Sequence, residues 1–181
     1  MTPHLRYHIR ARHSIQTQFK STNNNMKTND IGLEIRESKP LVKKLNDLLA
    51  NYQIYYQNLR NFHWNVSGPN FFELHAKFEE LYTSANLAVD TIAERILTLG
   101  DRPHSSYAEY IQHSDISEAL QITEATKMVE IVRNNQNDLL NLERKILEAA
   151  GEVGDEGTVS LMSDFITEKE KVVWMLSAYL R

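Results

Sequence analysis

Hydrophobic residues recur every three or four positions through most of the chain beyond residue 38, which is the period of an amphipathic α-helix. On this period we predict four long helices, which span residues 39–66, 70–98, 121–150 and 158–180. Ser38 is the predicted N-cap of the first helix, with Pro40 in its first turn. Glycine-containing turns end the first helix at 67–69 and separate the last two at 151–157.

Each predicted helix presents one apolar stripe that would face a shared core. In the second helix the stripe consists of Leu74, Phe78, Leu81, Ala85, Ala88, Ile92 and Ile96. In the fourth helix the stripe consists of Met162, Phe165, Val172, Leu176 and Tyr179. Four amphipathic helices of this length form a four-helix bundle when their stripes meet.

The connection between the second and third helices is much longer than the other two. It contains one short apolar patch, from Tyr107 to Ile111, which predicts one short helix. A connection of this length lets the third helix run parallel to the second, which is the ferritin-like topology. No segment alternates with the period of a strand. The predicted fold is therefore all-α, a ferritin-like four-helix bundle over residues 38–181 with a short helix in the crossover.

Residues 1–37 are predicted to be a disordered basic N-terminal segment, because their apolar residues show no sustained period. Residues 1–25 contain four basic residues and no acid, and they end in a polar tract. Two interpretations stay open. Residues 1–25 are either a basic arm that grips DNA phosphates, or a leader that is not translated, with Met26 as the true start.

Composition excludes several kinds of site. The chain has no cysteine, which rules out disulfides, a thiol nucleophile, an iron–sulfur cluster and a thiolate zinc site. No apolar run approaches the roughly 18 residues that a membrane span requires, so we expect no membrane partner. All 24 acidic residues lie beyond residue 25, where they outnumber the basic ones. Such a body should attract cations and repel nucleic acid.

Candidate metal ligands cluster at the end of the first helix and along the second. They are His63, His75, Glu79, Asp90 and Glu94. His75 and Glu79 are four residues apart and share a helix face, and Asp90 and Glu94 repeat that spacing. The second pair follows the first by 15 residues, which is about 60° of rotation and about 22 Å along the helix.

One chain cannot bring both pairs to one metal, because ligand atoms lie only about 2–2.6 Å from an ion. Two copies of the second helix can do so if they pack antiparallel about a twofold axis near residues 84 and 85. The side chains there are small, in the stretch Thr83-Ser84-Ala85-Asn86 and at Ala88 one turn further. His63 would reach in from the first helix, and the dimer would hold two sites. Two imidazoles and three carboxylates suit iron. The alternatives are that these are ordinary surface residues and that His63 is a core histidine.

The chain lacks the sequence motif of a di-iron site inside a single bundle. Ferritin-like di-iron sites inside one bundle use Glu-x-x-His on two helices. No histidine of this chain has Glu three residues before it. A site within a single bundle is therefore not expected.

The segment NFHWNVSGPNFFELHAKFEELYTSANLAVDTIAERILTLGDRP resembles the signature of the Dps family, the mini-ferritins of starved or oxidatively stressed bacteria. The resemblance implies a cytoplasmic or nucleoid protein that forms hollow dodecamers and protects DNA. It implies ferroxidase activity, in which hydrogen peroxide oxidises Fe²⁺, two irons per intersubunit site, and ferric mineral is stored inside. Zn²⁺ would be a competitor for the site.

Matched by position, His63, His75, Asp90 and Glu94 fall on that family's ligands. Glu79 falls where the family usually has Asp, so its carboxylate is one methylene longer. An alternative function is that of a nucleoid DNA-binding protein with a vestigial metal site, and a second is a purely structural bundle. Among the acidic residues, Glu152, Asp155 and Glu156 are candidates for lining an ion-entry pore. They fit equally well as helix N-terminal acids favoured by the dipole.

Overall fold

The computed structural model describes residues 27–181, and this part of the chain contains five α-helices. They are α1 (Ile35–Asn65), α2 (Phe71–Thr98), α3 (Tyr107–His113), α4 (Ala125–Glu152) and α5 (Glu156–Tyr179). The four long helices form the predicted bundle. The crossover consists of residues 99–124, between α2 and α4, and α3 is the short helix predicted within it. Apart from an isolated bridge between Thr28 and Glu34, residues 27–181 form no β-structure. The prediction of an all-α four-helix bundle with a short helix in the crossover is confirmed.

The apolar stripes that the sequence predicts form most of the core. All seven stripe residues of α2 are buried, and together they account for every buried residue of that helix. In α5 the prediction is wrong at Tyr179, which is 43% exposed. Lys169 is buried in the same helix instead. The four helices therefore bury their apolar faces against each other, with a few polar groups among them.

The start of α1 differs from the prediction. The helix begins at Ile35, and Ser38 lies inside it, buried, with its hydroxyl donating to the carbonyl of Ile35 at 3.1 Å. Ser38 is therefore not the N-cap. Pro40 is tolerated because the carbonyl it leaves without an amide donor belongs to Arg36, which is exposed to water at this end of the helix.

The chain is already folded before α1. Asn29 Oδ1 accepts hydrogen bonds from the amides of Ile31 and Leu33, and Asn29 Nδ2 donates to the carbonyl of Leu99 at 3.0 Å. These bonds attach the segment to the C-terminal end of α2. The boundary predicted at residue 38 is therefore too late. Residues 1–26, which carry the predicted basic arm, lie outside the described residues.

Two asparagines of α1 hold the crossover against the bundle. Asn51 Oδ1 accepts from the amides of Asp115 and Ile116, at 3.0 and 2.9 Å. Asn58 accepts from the amide of Ala119 and donates to a crossover carbonyl. Both side chains are buried, so their amide groups replace water as partners of the irregular backbone. This clamp lets α4 start at the same end of the bundle as α2.

The centre of the bundle contains a buried ion pair. Lys169 Nζ lies 3.0 Å from Glu143 Oε1, and the hydroxyl of Tyr52 donates to the same oxygen at 2.8 Å. The other carboxylate oxygen of Glu143 is buried without a hydrogen-bond partner. Burial raises the pKa of Glu143, although the Lys169 ammonium opposes the shift.

The turn between α4 and α5 contains Asp155, one of the three candidates for lining a pore, and its role differs from that prediction. Asp155 is 2% exposed, and its side chain caps α5 by accepting from the amide of Thr158 at 3.0 Å. The guanidinium of Arg95 pairs with the same carboxylate. Asp155 is therefore a helix cap held by a cation, as the alternative interpretation requires, and it does not line a pore. Glu152 and Glu156 are exposed.

Between residues 27 and 181, no helix combines the length and the low polarity that crossing a membrane would require.

Candidate metal centre

His63 and His75 are held face to face by a reciprocal pair of hydrogen bonds. His63 lies in the last turn of α1, and His75 lies in the second turn of α2. His63 Nδ1 is 2.9 Å from the carbonyl oxygen of His75, and His75 Nδ1 is 2.8 Å from the carbonyl oxygen of His63. The ring centroids are 3.8 Å apart, with an angle of 22° between the planes. The short link between the helices makes this pairing geometrically accessible.

The hydrogen bonds determine which nitrogen of each ring is available. A carbonyl oxygen can only accept, so each Nδ1 carries the hydrogen and donates it. In the neutral imidazole this leaves the lone pair of each Nε2 free for a metal ion. Backbone carbonyls in this position fix both the tautomer and the ring orientation, as in known metal sites.

Glu79 completes a cluster with the two histidines. Its carboxylate and the two imidazoles each offer a ligand atom, and these atoms lie within 4.8 Å of one another. In the part of the chain from 27 to 181, this is the sole group of three or more metal-ligating side chains gathered so closely. Glu79 is exposed, whereas both imidazoles are partly buried. Two nitrogens and one carboxylate oxygen form a donor set that suits Fe²⁺ or Zn²⁺.

Two aromatic side chains support this cluster, and neither was predicted from the sequence to lie against the ligands. Tyr82 packs its ring edge-on against His63, with centroids 5.3 Å apart, and its hydroxyl lies 3.4 Å from Glu79 Oε1. Desolvation and then the Glu79 carboxylate raise the pKa of Tyr82, so the hydroxyl is protonated and can donate. Phe71 stacks on His75 at 5.0 Å. The three-residue spacing from Glu79 to Tyr82 is the signal that could have found the first contact.

Asp90 and Glu94 do not join the cluster within one chain. Both are exposed on α2, which runs without interruption from Phe71 to Thr98. An unbroken helix keeps the two pairs about 22 Å apart along its axis, as the spacing predicts. They nevertheless lie on one side of the helix, because Asp90 is rotated only about 60° from His75.

The predicted helix crossing differs from the structure in which small residues of α2 are available to a second copy. Ala85 and Ala88 are buried in the bundle of their own chain, so they are not available to a second copy. Thr83 and Asn86 are exposed and lie within about 80° of His75 around the helix axis. They are the small side chains on the face that carries the candidate ligands.

Comparisons with known proteins agree with the fold. The family model for the ferritin-like domain matches residues 42–181. A solved structure of a Dps protein from Vibrio cholerae O1, described as a member of a superfamily of ferritin-like diiron-carboxylate proteins, is 50% identical to the chain. It superposes with a TM-score of 0.85 and covers 86% of this chain and 98% of its own.

Further relatives carry the same family name. The "DNA protection during starvation protein" of Porphyromonas gingivalis is 43% identical over 148 residues, which are 82% of this chain and 93% of that protein. A solved Dps structure from Bacillus brevis is 40% identical, with a TM-score of 0.79, and covers 81% of this chain and 98% of its own. The fold thus defines a ferritin-like protein. Within that class, the chain belongs to the Dps family.

Proposed function

We propose that this protein is a cytoplasmic ferroxidase and iron store, in which two copies of α2 pack antiparallel and share each metal site. The observation that carries the proposal is the placement of the ligands on α2. His75 and Glu79 stand at one end of an exposed face, and Asp90 and Glu94 stand at the other end, about 22 Å away. A twofold axis between the pairs brings the first pair of one chain to the second pair of its mate.

In the proposed reaction Fe²⁺ and hydrogen peroxide are the substrates. Two Fe²⁺ ions each give one electron to one peroxide molecule, which takes up two protons and leaves as two water molecules. Because both electrons are delivered together, no hydroxyl radical is released. The two imidazoles bind through Nε2, and the carboxylates of Glu79, Asp90 and Glu94 balance the charge that grows as the irons become ferric.

The remaining parts of the proposal concern assembly and purpose. We propose a hollow dodecamer that stores the ferric product as mineral, with an acidic body that accumulates cations. Removing Fe²⁺ and peroxide together would protect DNA from oxidative damage. Membership of the Dps family supports this purpose, since relatives carry the name "DNA protection during starvation protein".

Anaerobic iron oxidation tests the proposal. Fe²⁺ is added to the protein, peroxide is titrated in, and ferric product is followed by absorbance while a spin trap detects hydroxyl radical. We expect two irons oxidised per peroxide without a trapped radical, and a large loss of rate in the His63→Ala variant. Glu80→Gln is the matched control, because Glu80 is an exposed acid of α2 whose partner is Lys77. One iron oxidised per peroxide, with radical trapped, would contradict the proposal.

The alternative function is DNA binding with a vestigial metal site. The four basic residues within 1–25 favour it, since a basic arm repeated over an oligomer would bind DNA phosphates by avidity. A protein that shifts DNA on a gel but oxidises no iron would support this alternative over the ferroxidase.

A further inference from the structure

A second pair of histidines lies at the crossover. The described residues contain four histidines, and His104 and His113 are the two that the candidate metal centre does not use. Their ring centroids are 4.4 Å apart, with an angle of 38° between the planes. They adjoin Asn46 and Asp47 of α1, which precede His63 by 16 or 17 residues. The pair is thus about 24 Å along α1 from the first cluster.

Two hydrogen bonds, one from the backbone amide of His104 and one to its carbonyl, fix the position of this residue. Its amide donates to Asn46 Oδ1 at 2.7 Å, and its carbonyl accepts from the hydroxyl of Tyr110 at 3.0 Å. The Nδ1 atom of its ring is buried and has no hydrogen-bond partner. A buried polar atom without a partner is costly, so this nitrogen is a site where a ligand would be favoured.

Asp47 provides a carboxylate beside the pair. Its Oδ1 atom lies 3.7 Å from His113 Nδ1, and its Oδ2 atom accepts a hydrogen bond from Lys43 at 2.7 Å. Lys43 therefore occupies one carboxylate oxygen and leaves the other directed at the imidazole. Asp47 and His113 are both only partly exposed, at 26% and 34% of their side-chain areas.

We propose that His104, His113 and Asp47 bind a divalent transition-metal ion of the Zn²⁺ type, at a site separate from the iron-oxidising one. Ligand atoms bound about 2.0–2.1 Å from a tetrahedral ion lie roughly 3.3–3.5 Å apart. The observed 3.7 Å between Asp47 Oδ1 and His113 Nδ1 is within a few tenths of an ångström of that spacing. The three side chains are not gathered as closely as those of the candidate metal centre, so the ring of His104 must turn to bring Nδ1 to the same ion. Two imidazoles and one carboxylate are a usual donor set for Zn²⁺, and a fourth position stays open to water.

Binding of the ion would join three segments of the fold. Asp47 belongs to α1, His104 to the irregular part of the crossover, and His113 to the last turn of α3. One ion would join these three segments at the end of the bundle opposite His63. Because the ion binds the folded chain only, it should raise the thermal stability of the protein.

The test uses the full chain with the other histidines replaced by glutamine, so that His104 and His113 are the only ones left. The replaced residues are His4, His8, His13, His63 and His75. This parent variant also lacks the histidines of the iron site, so its result is independent of the proposed function. The probe is Co²⁺ alone, whose visible absorption reports ligand type and coordination number, and circular dichroism checks helix content in every variant.

We expect the parent variant to bind one Co²⁺ per chain with a low-coordinate spectrum. Adding His113→Gln or His104→Gln should weaken binding by roughly 100-fold or more, since even indirect partners of metal ligands contribute 10–100-fold. Asp47→Asn should weaken it too. Gln112→Ala is the matched control, because Gln112 is the exposed neighbour of His113 and should leave affinity unchanged.

Two results would overturn the proposal. One is the absence of stoichiometric Co²⁺ binding in the folded parent variant. The other is binding that survives His113→Gln with its affinity and spectrum intact. Thermal melting gives a second measurement, in which Zn²⁺ should raise the melting temperature of the parent variant and leave that of the His113→Gln variant where it was.

Discussion

Two inactive variants, each with a ligand removed from a different half of the proposed iron site, should regain iron oxidation when their subunits are mixed. His75→Ala removes a ligand at one end of the α2 face, and Asp90→Ala removes a ligand at the other end. Each variant alone carries a defect in every site, because both sites of a dimer use both ends. A mixed dimer is different, since it joins the two intact halves in one site and the two defective halves in the other.

The expected magnitude follows from this geometry. If equal amounts pair at random, about half of the dimers are mixed, and one of the two sites in each mixed dimer is intact. The mixture should therefore recover about a quarter of the wild-type number of working sites. If each site were built within one chain, the mixture would recover no activity. The two ligand pairs of one chain are about 22 Å apart, so one chain cannot supply both halves of a site.

The assay mixes the purified variants, dissociates and reassembles them, and measures the initial rate of ferric product with peroxide. Native mass spectrometry of subunits with different masses verifies the exchange. The matched control mixes His75→Ala with Glu79→Ala, two changes in the same half of the site, and no dimer of this mixture contains an intact site. A fully exchanged mixture of His75→Ala and Asp90→Ala that stays as inactive as its parents would refute the shared site, as would equal recovery in the control mixture.

Three further predictions concern the core, the support of Glu79 and the N-terminal segment. Lys169→Met should cost about 3–5 kcal/mol in urea unfolding at fixed protein concentration, because it leaves the Glu143 carboxylate buried and unpaired. The loss should shrink as pH falls through the raised pKa of Glu143, where the folded chain binds the proton more readily, and a second change, Glu143→Gln, should recover most of it at neutral pH. An equal loss at every pH would contradict this reasoning. Tyr82→Phe should weaken Fe²⁺ binding measurably, by up to about tenfold, because the hydroxyl of Tyr82 orients the carboxylate through a long hydrogen bond. An unchanged affinity in a calorimetric titration would contradict that role. A chain that starts at Met26 should keep ferroxidase activity and lose DNA binding on a gel, while binding by the full chain should weaken steeply with salt, with a log–log slope of about −0.9 per phosphate released. Equal DNA binding by both chains would place the DNA site on the acidic body.

The boundaries of α1 and α4 show where prediction from the sequence stops. Ser38 has the side chain of an N-cap and precedes Pro40, yet the helix starts four residues earlier than predicted, because the preceding segment is hydrogen-bonded to the end of α2. Gly151 likewise has the character of a helix terminator, but α4 continues through it to Glu152. Local signals identify candidate ends of a helix, and at the start of α1 a contact with a residue distant in the sequence decides among them.

The sequence by itself determined the periodic properties of this protein. The apolar stripe of α2 repeats with the helical period, so its seven buried residues, and the common face of His75, Glu79, Asp90 and Glu94, follow from spacing alone.

Only the tertiary structure decided how side chains from different helices meet. Three examples are the reciprocal bonds of His63 and His75, the clamp that Asn51 forms on the crossover, and the pairing of Lys169 with Glu143. They join residues that are between 12 and 65 positions apart in the sequence. No period in the sequence encodes these distances, because they depend on how the helices pack in three dimensions. The same reason explains why Tyr82 at the metal cluster and the pairing of His104 with His113 became visible only in the folded chain.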